Sequence, residues 1–134
     1  MSTLSKSVTA LSAFALVAIT MGATATPAAA VGGCPAGKLC IYESTQYRNL
    51  AVTSTSTKAC FDLTNFGTGF NRGIGSYVNN LNVNAVVYSN VSTAGYTVDG
   101  TIRPGGYSSD TTNGEWFGNF GAVCMGGLNP NTEL

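Results

Sequence analysis

The feature that most constrains the fold is a series of short runs in which apolar and polar residues alternate. Glycine, asparagine, serine and threonine interrupt the chain between these runs, and no window has the i, i+3, i+4 spacing of an amphipathic helix. Short strands separated by frequent turn signals are typical of sandwiches and barrels. The sequence therefore predicts an all-β fold with strands in LCIYE (39–43), AVTSTST (51–57), CFDL (60–63), NAVVYS (84–89) and YTV (96–98).

Residues 1–30 have the pattern of a signal peptide. Lys6 precedes the apolar run LSAFALVAITM (11–21), which is too short to span a bilayer. The small residues Ala28-Ala29-Ala30 fit the rule for cleavage, with Ala23-Thr24-Ala25 as a competing site. We predict that residues 1–30 are removed on export, that the protein is secreted into the extracellular medium, and that residues 31–134 form a single domain.

The predicted mature chain contains four cysteines, Cys34, Cys40, Cys60 and Cys124. An even number of cysteines in an exported protein indicates disulfides, and four cysteines allow three pairings. A zinc site is disfavoured because the chain has neither a C-x-x-C pair nor a histidine. The sequence therefore predicts two disulfides and no metal.

The charge and the functional groups of the chain exclude several classes of function. Without Lys6 the mature chain has five basic and six acidic residues, a net charge of −1, so no basic face is available for nucleic acid or an anionic membrane. The absence of histidine excludes Ser-His and Cys-His relays, and the carboxylates have no spacing that suggests a glycosidase pair. We predict a monomeric binding protein that is not an enzyme and has no cofactor.

An internal repeat explains the glycines of the stretch GFNRGIGSYVNN (69–80). LCIYE (39–43) aligns with AVVYS (85–89) at an offset of 46, and residues 71–76 align with residues 119–124 at an offset of 48. A hairpin that folds over its own sheet needs a residue with positive φ, which Asn49 and Gly95 can supply in the two halves. Gly73 and Gly75 are then predicted to form a corner between strands rather than a nucleotide site.

The repeat resembles a known motif. The pattern Y-x-x-x-x-(Y/F/T)-x-(G/N), followed by a corner of the type (N/D)-(N/D)-x-x-(S/T)-S, is similar to the paired Greek-key motifs of the βγ-crystallin fold. The opening CPAGKLCIYE (34–43) resembles the start of the secreted βγ-crystallin-like bacterial peptidase inhibitors, the family of the streptomycete metalloproteinase inhibitor. The residues that carry the crystallin pattern are Tyr42, Tyr47, Asn49, Asn71, Ser76, Tyr88 and Gly95.

The resemblance implies a βγ-crystallin-like Greek-key β-sandwich of two sequence-related halves. It implies a Cys34–Cys40 bridge, which leaves Cys60 to pair with Cys124. It also implies a secreted inhibitor that presents a rigid loop to a secreted metallo- or serine peptidase. Similar folds imply an alternative, a secreted toxin, antifungal protein or cell-wall binding module, with or without weak calcium binding. The chain lacks the second short disulfide loop that carries the reactive bond of the named inhibitor, so no inhibitory residue transfers directly.

Calcium-binding relatives of this fold use oxygen ligands from the corner. Here Arg72 stands where a carboxylate or amide would belong, and Gly75 has no hydroxyl. By the offset of 48, Phe120, Val123 and Cys124 stand at the matching second, fifth and sixth positions of the other half. We therefore expect no bound metal, and we expect Asn71 and Ser76, as a vestigial calcium corner, to hydrogen-bond the turn.

The best sequence candidate for a contact loop is PGGYSSDTTNGEW (104–116). It is polar and rich in glycine, and it ends in the only tryptophan of the chain; tryptophan often anchors interfaces. We predict Tyr107, Asp110, Asn113 and Trp116 as contact residues. The alternative is an ordinary hairpin connection with Trp116 in the core.

Overall fold

A computed structural model describes residues 30–112 and 117–134. It confirms the all-β prediction: the two sheets are antiparallel, and within the described residues helix is limited to short 3-10 turns and the helix α1 (Pro130–Glu133). Each predicted run overlaps a strand, whereas β4, β7 and β8 were not predicted. The strands are β1 (Leu39–Ser44), β2 (Arg48–Ser54), β3 (Cys60–Asp62), β4 (Ser76–Asn79), β5 (Ala85–Ser89), β6 (Thr97–Ile102), β7 (Tyr107–Ser108) and β8 (Ala122–Met125).

The two halves of the chain have the same connectivity. One four-stranded sheet has the order β2-β1-β4-β7 and the other has the order β3-β8-β5-β6. Strands β5 to β8 correspond in turn to β1 to β4. When every strand is replaced by its counterpart, the order of the first sheet becomes the order of the second, read in the opposite direction. Each sheet therefore contains three strands of one half and the third strand of the other half.

The core lies between the inner faces of the two sheets. Alternation along β1 places Leu39 and Ile41 in this core, where neither side chain is exposed. The corner between β3 and β4 adds Leu63 and Phe70, which are also fully buried. Burial of each such side chain contributes about 1.5–3 kcal/mol, so the core fixes the corner as firmly as it fixes the strands.

The first described residues and α1 cover the outer faces of the sheets. The Cys34–Cys40 disulfide ties the N-terminal segment to β1, and the Tyr42 hydroxyl donates to the Gly32 carbonyl at 2.8 Å. On the other sheet α1 packs against β3 and β8. There Cys60 and Cys124, which are direct cross-strand partners, form the second disulfide. The predicted pairing is confirmed.

The strand register corrects the predicted alignment of the corners. Tyr42 pairs with Ser76 in β1–β4, and Tyr88 pairs with Ala122 in β5–β8, so the offset is 46 throughout rather than 48. The counterpart of Ser76 is therefore Ala122 and not Cys124. Gly75 and Gly121, which precede Ser76 and Ala122, are also 46 positions apart. Both lie against backbone atoms, as expected of equivalent positions.

An added Cβ shows why these two positions require glycine. At Gly75 it would lie 2.3 Å from the Ser44 carbonyl carbon, and at Gly121 it would lie 1.8 Å from the Tyr88 carbonyl oxygen. Gly73 has a φ of 90°, which glycine tolerates best. The prediction that Gly73 and Gly75 form a corner is confirmed.

Candidate functional site

Four connections meet at one end of the sandwich, where the odd-numbered strands end and the even-numbered strands begin. We call this surface the loop face. It comprises the first hairpin (45–47), the corner (63–75), the second hairpin (90–96) and the described parts of the 109–121 connection. Backbone hydrogen bonds of 2.6–3.1 Å cross-link these segments, namely Gln46 N to Ser109 O, Thr111 N to Gly75 O, Ile74 N to Phe117 O, Phe120 N to Phe70 O, Leu63 N to Gly121 O and Asn90 N to Asn119 O.

The first hairpin is folded over its sheet by a buried serine. The Ser76 hydroxyl donates to the Ser44 carbonyl at 2.6 Å and accepts a hydrogen bond from the Tyr47 amide at 3.0 Å. Gln46, Tyr47 and Asn49 all have positive φ, between 54° and 58°. The expectation of positive φ at Asn49 is confirmed, but two further residues without the freedom of glycine share that strained region.

Tyr47 is the centre of an aromatic group on this hairpin. Its ring packs edge-to-face on Tyr42, with centroids 5.6 Å apart, and it fills the space that a side chain at Gly32 would need. Burial raises the pKa of the Tyr47 phenol, and the nearby phenols of Tyr107 and Tyr77 raise it further. Tyr47 therefore packs the first hairpin against β1 and the N-terminal segment.

The second hairpin is held in a different way. Its positive-φ residue is Gly95, as predicted, and Ala122 provides no hydroxyl. Asn131 of α1 substitutes for the serine: its side chain accepts from the Tyr96 amide and donates to the Tyr96 carbonyl, both at 2.9 Å. The Tyr96 hydroxyl also donates to Asp62 Oδ2 at 3.2 Å.

The predicted contact loop (104–116) includes the edge strand β7. Tyr107 is 61% exposed, and Asp110 lies beyond it on the surface. The Asp110 carboxylate accepts a hydrogen bond from the Thr112 amide at 2.8 Å. Hydrogen bonds from the Thr112 hydroxyl and amide hold the pKa of Asp110 below its usual value. Asn113 and Trp116 lie outside the described residues, so their predicted roles remain predictions.

The corner residues named as vestigial calcium ligands have separate positions. Ser76 is fully buried, and its hydroxyl is engaged by the first hairpin, as predicted. Asn71 is exposed beside Arg72. Within residues 30–112 and 117–134, no three His, Cys, Asp or Glu side chains are grouped so that they could hold a metal ion.

A cleft that the sequence did not predict opens between the first hairpin and the corner. It has a volume of about 700 Å³, and Arg48 and Arg72 both line it. The sequence places these two arginines 24 positions apart. They line the same cleft because β2, which begins at Arg48, and β4, which follows Arg72, are both neighbours of β1. The sequence analysis singled out Arg72 in the glycine-rich stretch 69–80. Arg48 could be placed beside the same cleft only from the strand order.

These features describe a disulfide-tied β-sandwich with a preordered loop face, which is the construction of a small binding module. The model of peptidase inhibitor family I36 matches residues 27–98, more than half of the 134-residue chain, so the chain belongs to this family. The match confirms the resemblance. It makes a peptidase the implied partner and implies a role other than catalysis. No curated protein and no solved structure matches the chain significantly.

The matched range divides the loop face. It includes the first hairpin, the corner and the second hairpin, and it ends at residue 98, in β6. The Tyr107–Thr112 loop lies beyond it. In the described part of the chain, no helix is long and apolar enough to cross a membrane.

Proposed function

We propose that this protein is a secreted inhibitor that presents a rigid loop around residues 107–112 to the active-site cleft of a secreted metallo- or serine peptidase. The observation that carries the proposal is the attachment of this loop at two points, Ser109 O to the first hairpin and Thr111 N to the corner. The Thr111 hydroxyl also donates to the Ile74 carbonyl. A loop that is already ordered loses little conformational entropy on association.

The strand order supports the crystallin-like part of the proposal. Each half contributes its third strand to the sheet of the other half, and each folded hairpin has a residue of positive φ at the predicted place, Asn49 or Gly95. We infer from this pairing that the chain is a single βγ-crystallin-like Greek-key domain over residues 31–134. A domain closed by two disulfides is suited to an oxidising extracellular medium after removal of residues 1–30.

An inhibition assay tests the proposed function. The processed chain, expressed from the full-length sequence, is titrated against a thermolysin-like metallopeptidase and a subtilisin-like serine peptidase. We expect inhibition of one class with an affinity between roughly micromolar and nanomolar, and no catalytic turnover by the protein itself. If neither enzyme is inhibited at micromolar concentration, the inhibitor proposal is wrong. Co-sedimentation with cell-wall polymer then tests the wall-binding alternative.

Tyr107→Ala tests the contact loop itself. Because Tyr107 is an exposed aromatic side chain, we expect its removal to weaken inhibition by about 2 kcal/mol while the melting temperature hardly changes. Val98→Ala is the matched control, since Val98 is 63% exposed on the edge strand of the other sheet. Equal inhibition by wild type and Tyr107→Ala would exclude Tyr107 as a contact.

A further inference from the structure

The cleft between the first hairpin and the corner has the dimensions of a binding site. Thr45 and Arg48 line it from the hairpin side, Arg72 and Gly73 from the corner side, and Phe117 from the 109–121 connection. Its volume of about 700 Å³ falls in the range of ligand pockets. A side chain or a chain end of a protein partner fits this space.

The five basic residues within the described ranges are divided between the two ends of the sandwich. Arg48 and Arg72 line the cleft at the loop face. Lys38, Lys58 and Arg103 lie at the opposite end, close to the start of β1, the start of β3 and the end of β6. The two positive charges of the loop face are therefore concentrated at one cleft in a chain that is otherwise nearly neutral.

The acidic residue of the cleft is packed against its wall. Atoms of the Glu43 carboxyl group would lie 1.6 Å from a Cβ added at Gly67 and 2.9 Å from one added at Gly69. These two glycines therefore leave room for the Glu43 side chain. With Arg48 and Arg72 opposite one carboxylate, the described lining of the cleft has a net positive charge.

The guanidinium groups of Arg48 and Arg72 are the charged hydrogen-bond donors that the described lining offers to a ligand. The amides of Gly73, Ile74 and Gly75 already donate to backbone carbonyls, so the corner offers no row of amides for an anion. Arg48 Nε donates to the Thr45 carbonyl at 3.2 Å. This bond orients the guanidinium and leaves its terminal N–H groups for a planar acceptor.

We propose that this cleft binds a carboxylate group of the peptidase partner through Arg48 and Arg72. Guanidinium groups bind carboxylates in bidentate geometry, and such charge-assisted bonds are stronger than neutral ones. The identity of the partner rests on the proposed function. Both arginines lie inside the range that matches the inhibitor family, unlike Tyr107, so the two proposed binding residues belong to the part of the chain that the family model matches. The carboxylate belongs to either an acidic side chain or a chain terminus.

A peptide titration followed by NMR tests the cleft without any peptidase. The probes are the acetylated tripeptide Gly-Gly-Leu with a free carboxyl terminus, its C-terminal amide, and the amide of acetylated Gly-Asp-Leu. We expect the arginine Nε–Hε signals of Arg48 and Arg72 to shift with a probe that has a carboxylate, with a dissociation constant of about 1 mM or tighter. The neutral amide should cause no shift, and the two acidic probes distinguish the sources of the carboxylate. If no acidic probe shifts these signals, or if Arg103 shifts equally, the proposal is overturned.

Inhibition kinetics test the same cleft in the complex. We expect Arg48→Ala and Arg72→Ala each to raise the inhibition constant about 10-fold and to reduce its dependence on salt. Arg48→Lys keeps the charge without the planar fork and should show a smaller loss. Arg103→Ala, at the opposite end, is the matched control and should change the constant less than about 2-fold.

The outcomes separate the cleft from the inhibitory function. A double variant, Arg48→Ala with Arg72→Ala, that melts like wild type and inhibits equally well overturns the cleft proposal and leaves the inhibitory function intact. A wild-type protein that inhibits no peptidase contradicts the proposed function and, with it, the peptidase as source of the carboxylate. Specific shifts of Arg48 and Arg72 with the acidic probes would still support carboxylate binding by the cleft itself.

Discussion

The two hairpins of the loop face occupy equivalent positions but are stabilised by different means. The first hairpin is folded by the buried Ser76, and three non-glycine residues have positive φ there, Gln46 and Tyr47 in the hairpin and Asn49 in the adjoining β2. The positive-φ residue of the second hairpin is a glycine, Gly95, and this hairpin is held by Asn131 from the C-terminal helix. Since the second hairpin forms without it, the extra backbone strain of the first is not a requirement of the fold.

The location of this strain is informative. Residues held at positive φ without glycine cost about 1 kcal/mol or more each, and such strain is found most often at functional sites. The backbone amide of the strained Gln46 donates a hydrogen bond to the Ser109 carbonyl of the proposed contact loop. Arg48, two residues further on, lines the cleft. The first hairpin is therefore the one that organises the candidate site, and the following predictions test this difference between the halves.

The largest expected effect concerns the two disulfides. Cys60–Cys124 spans 64 positions and joins the two halves, whereas Cys34–Cys40 spans six positions within the first. In the chain-entropy model the longer loop contributes about 4 kcal/mol and the shorter about 2 kcal/mol. We expect Cys60→Ala with Cys124→Ala to destabilise the protein more than Cys34→Ala with Cys40→Ala does, as measured by chemical denaturation. The reverse order would show that Cys34–Cys40 acts mainly through native packing. Intact mass should show that wild type has no free thiol.

Substitution of Ser76 should destabilise the first hairpin and leave the second unaffected. Ser76→Ala leaves the Tyr47 amide and the Ser44 carbonyl without their partner, at a cost of about 1–3 kcal/mol. Asn131→Ala should cost about 1 kcal/mol, because its hydrogen bonds are exposed to water. Urea denaturation gives the free energies, and hydrogen exchange should show faster exchange in the first hairpin only for Ser76→Ala. Similar losses in both variants would contradict the distinct roles.

The tyrosines of the two halves should respond differently to one substitution. Burial is the main cause that raises the pKa of Tyr96, and the Asp62 carboxylate raises it further. The pKa of Tyr42 is raised mainly by burial and, to a smaller extent, by Tyr47. A phenol whose pKa is raised by folding stabilises the protein fully below the unfolded value near 10, and this stability is lost as the pH rises through the folded pKa. Asp62→Asn should lower the pKa of Tyr96 and leave that of Tyr42 unchanged, as followed by NMR. A shift at Tyr42 would show that the halves are electrostatically coupled.

The smallest expected effect is that of calcium. Ser76 is engaged by the first hairpin, Arg72 lies at the corner, and the equivalent of Ser76 in the other half is Ala122. A ligand that binds only the folded state raises its stability. Because we expect no calcium to bind, the melting temperature should be the same with millimolar calcium and with chelator. A calcium-dependent rise of several degrees would contradict this prediction and would identify a functional corner.

Local pattern predicted the fold class, because five strands alternate or are flanked by turn residues. It did not predict β4 and β8, which are buried almost throughout, or β7, which has only two residues. The offset of 48 matched Asn-x-Gly letters, whereas the true register follows from the contact of Gly75 and Gly121 with backbone. Turn chemistry predicted the loop of Tyr107 and Asp110. The presence of Arg48 and Arg72 in one cleft depended on the order of strands, which no local pattern contains.

The exchange of third strands between the sheets has a consequence for the order of folding. β3 finds its hydrogen-bonding neighbour only when β8, close to the end of the chain, is present, and β7 likewise completes the sheet of the first half. Neither half can close its sheet alone, and pairing between distant strands is slow. We therefore expect the chain to stay incompletely folded, with exposed strand edges, until β7 and β8 are available, and then to fold as one cooperative unit.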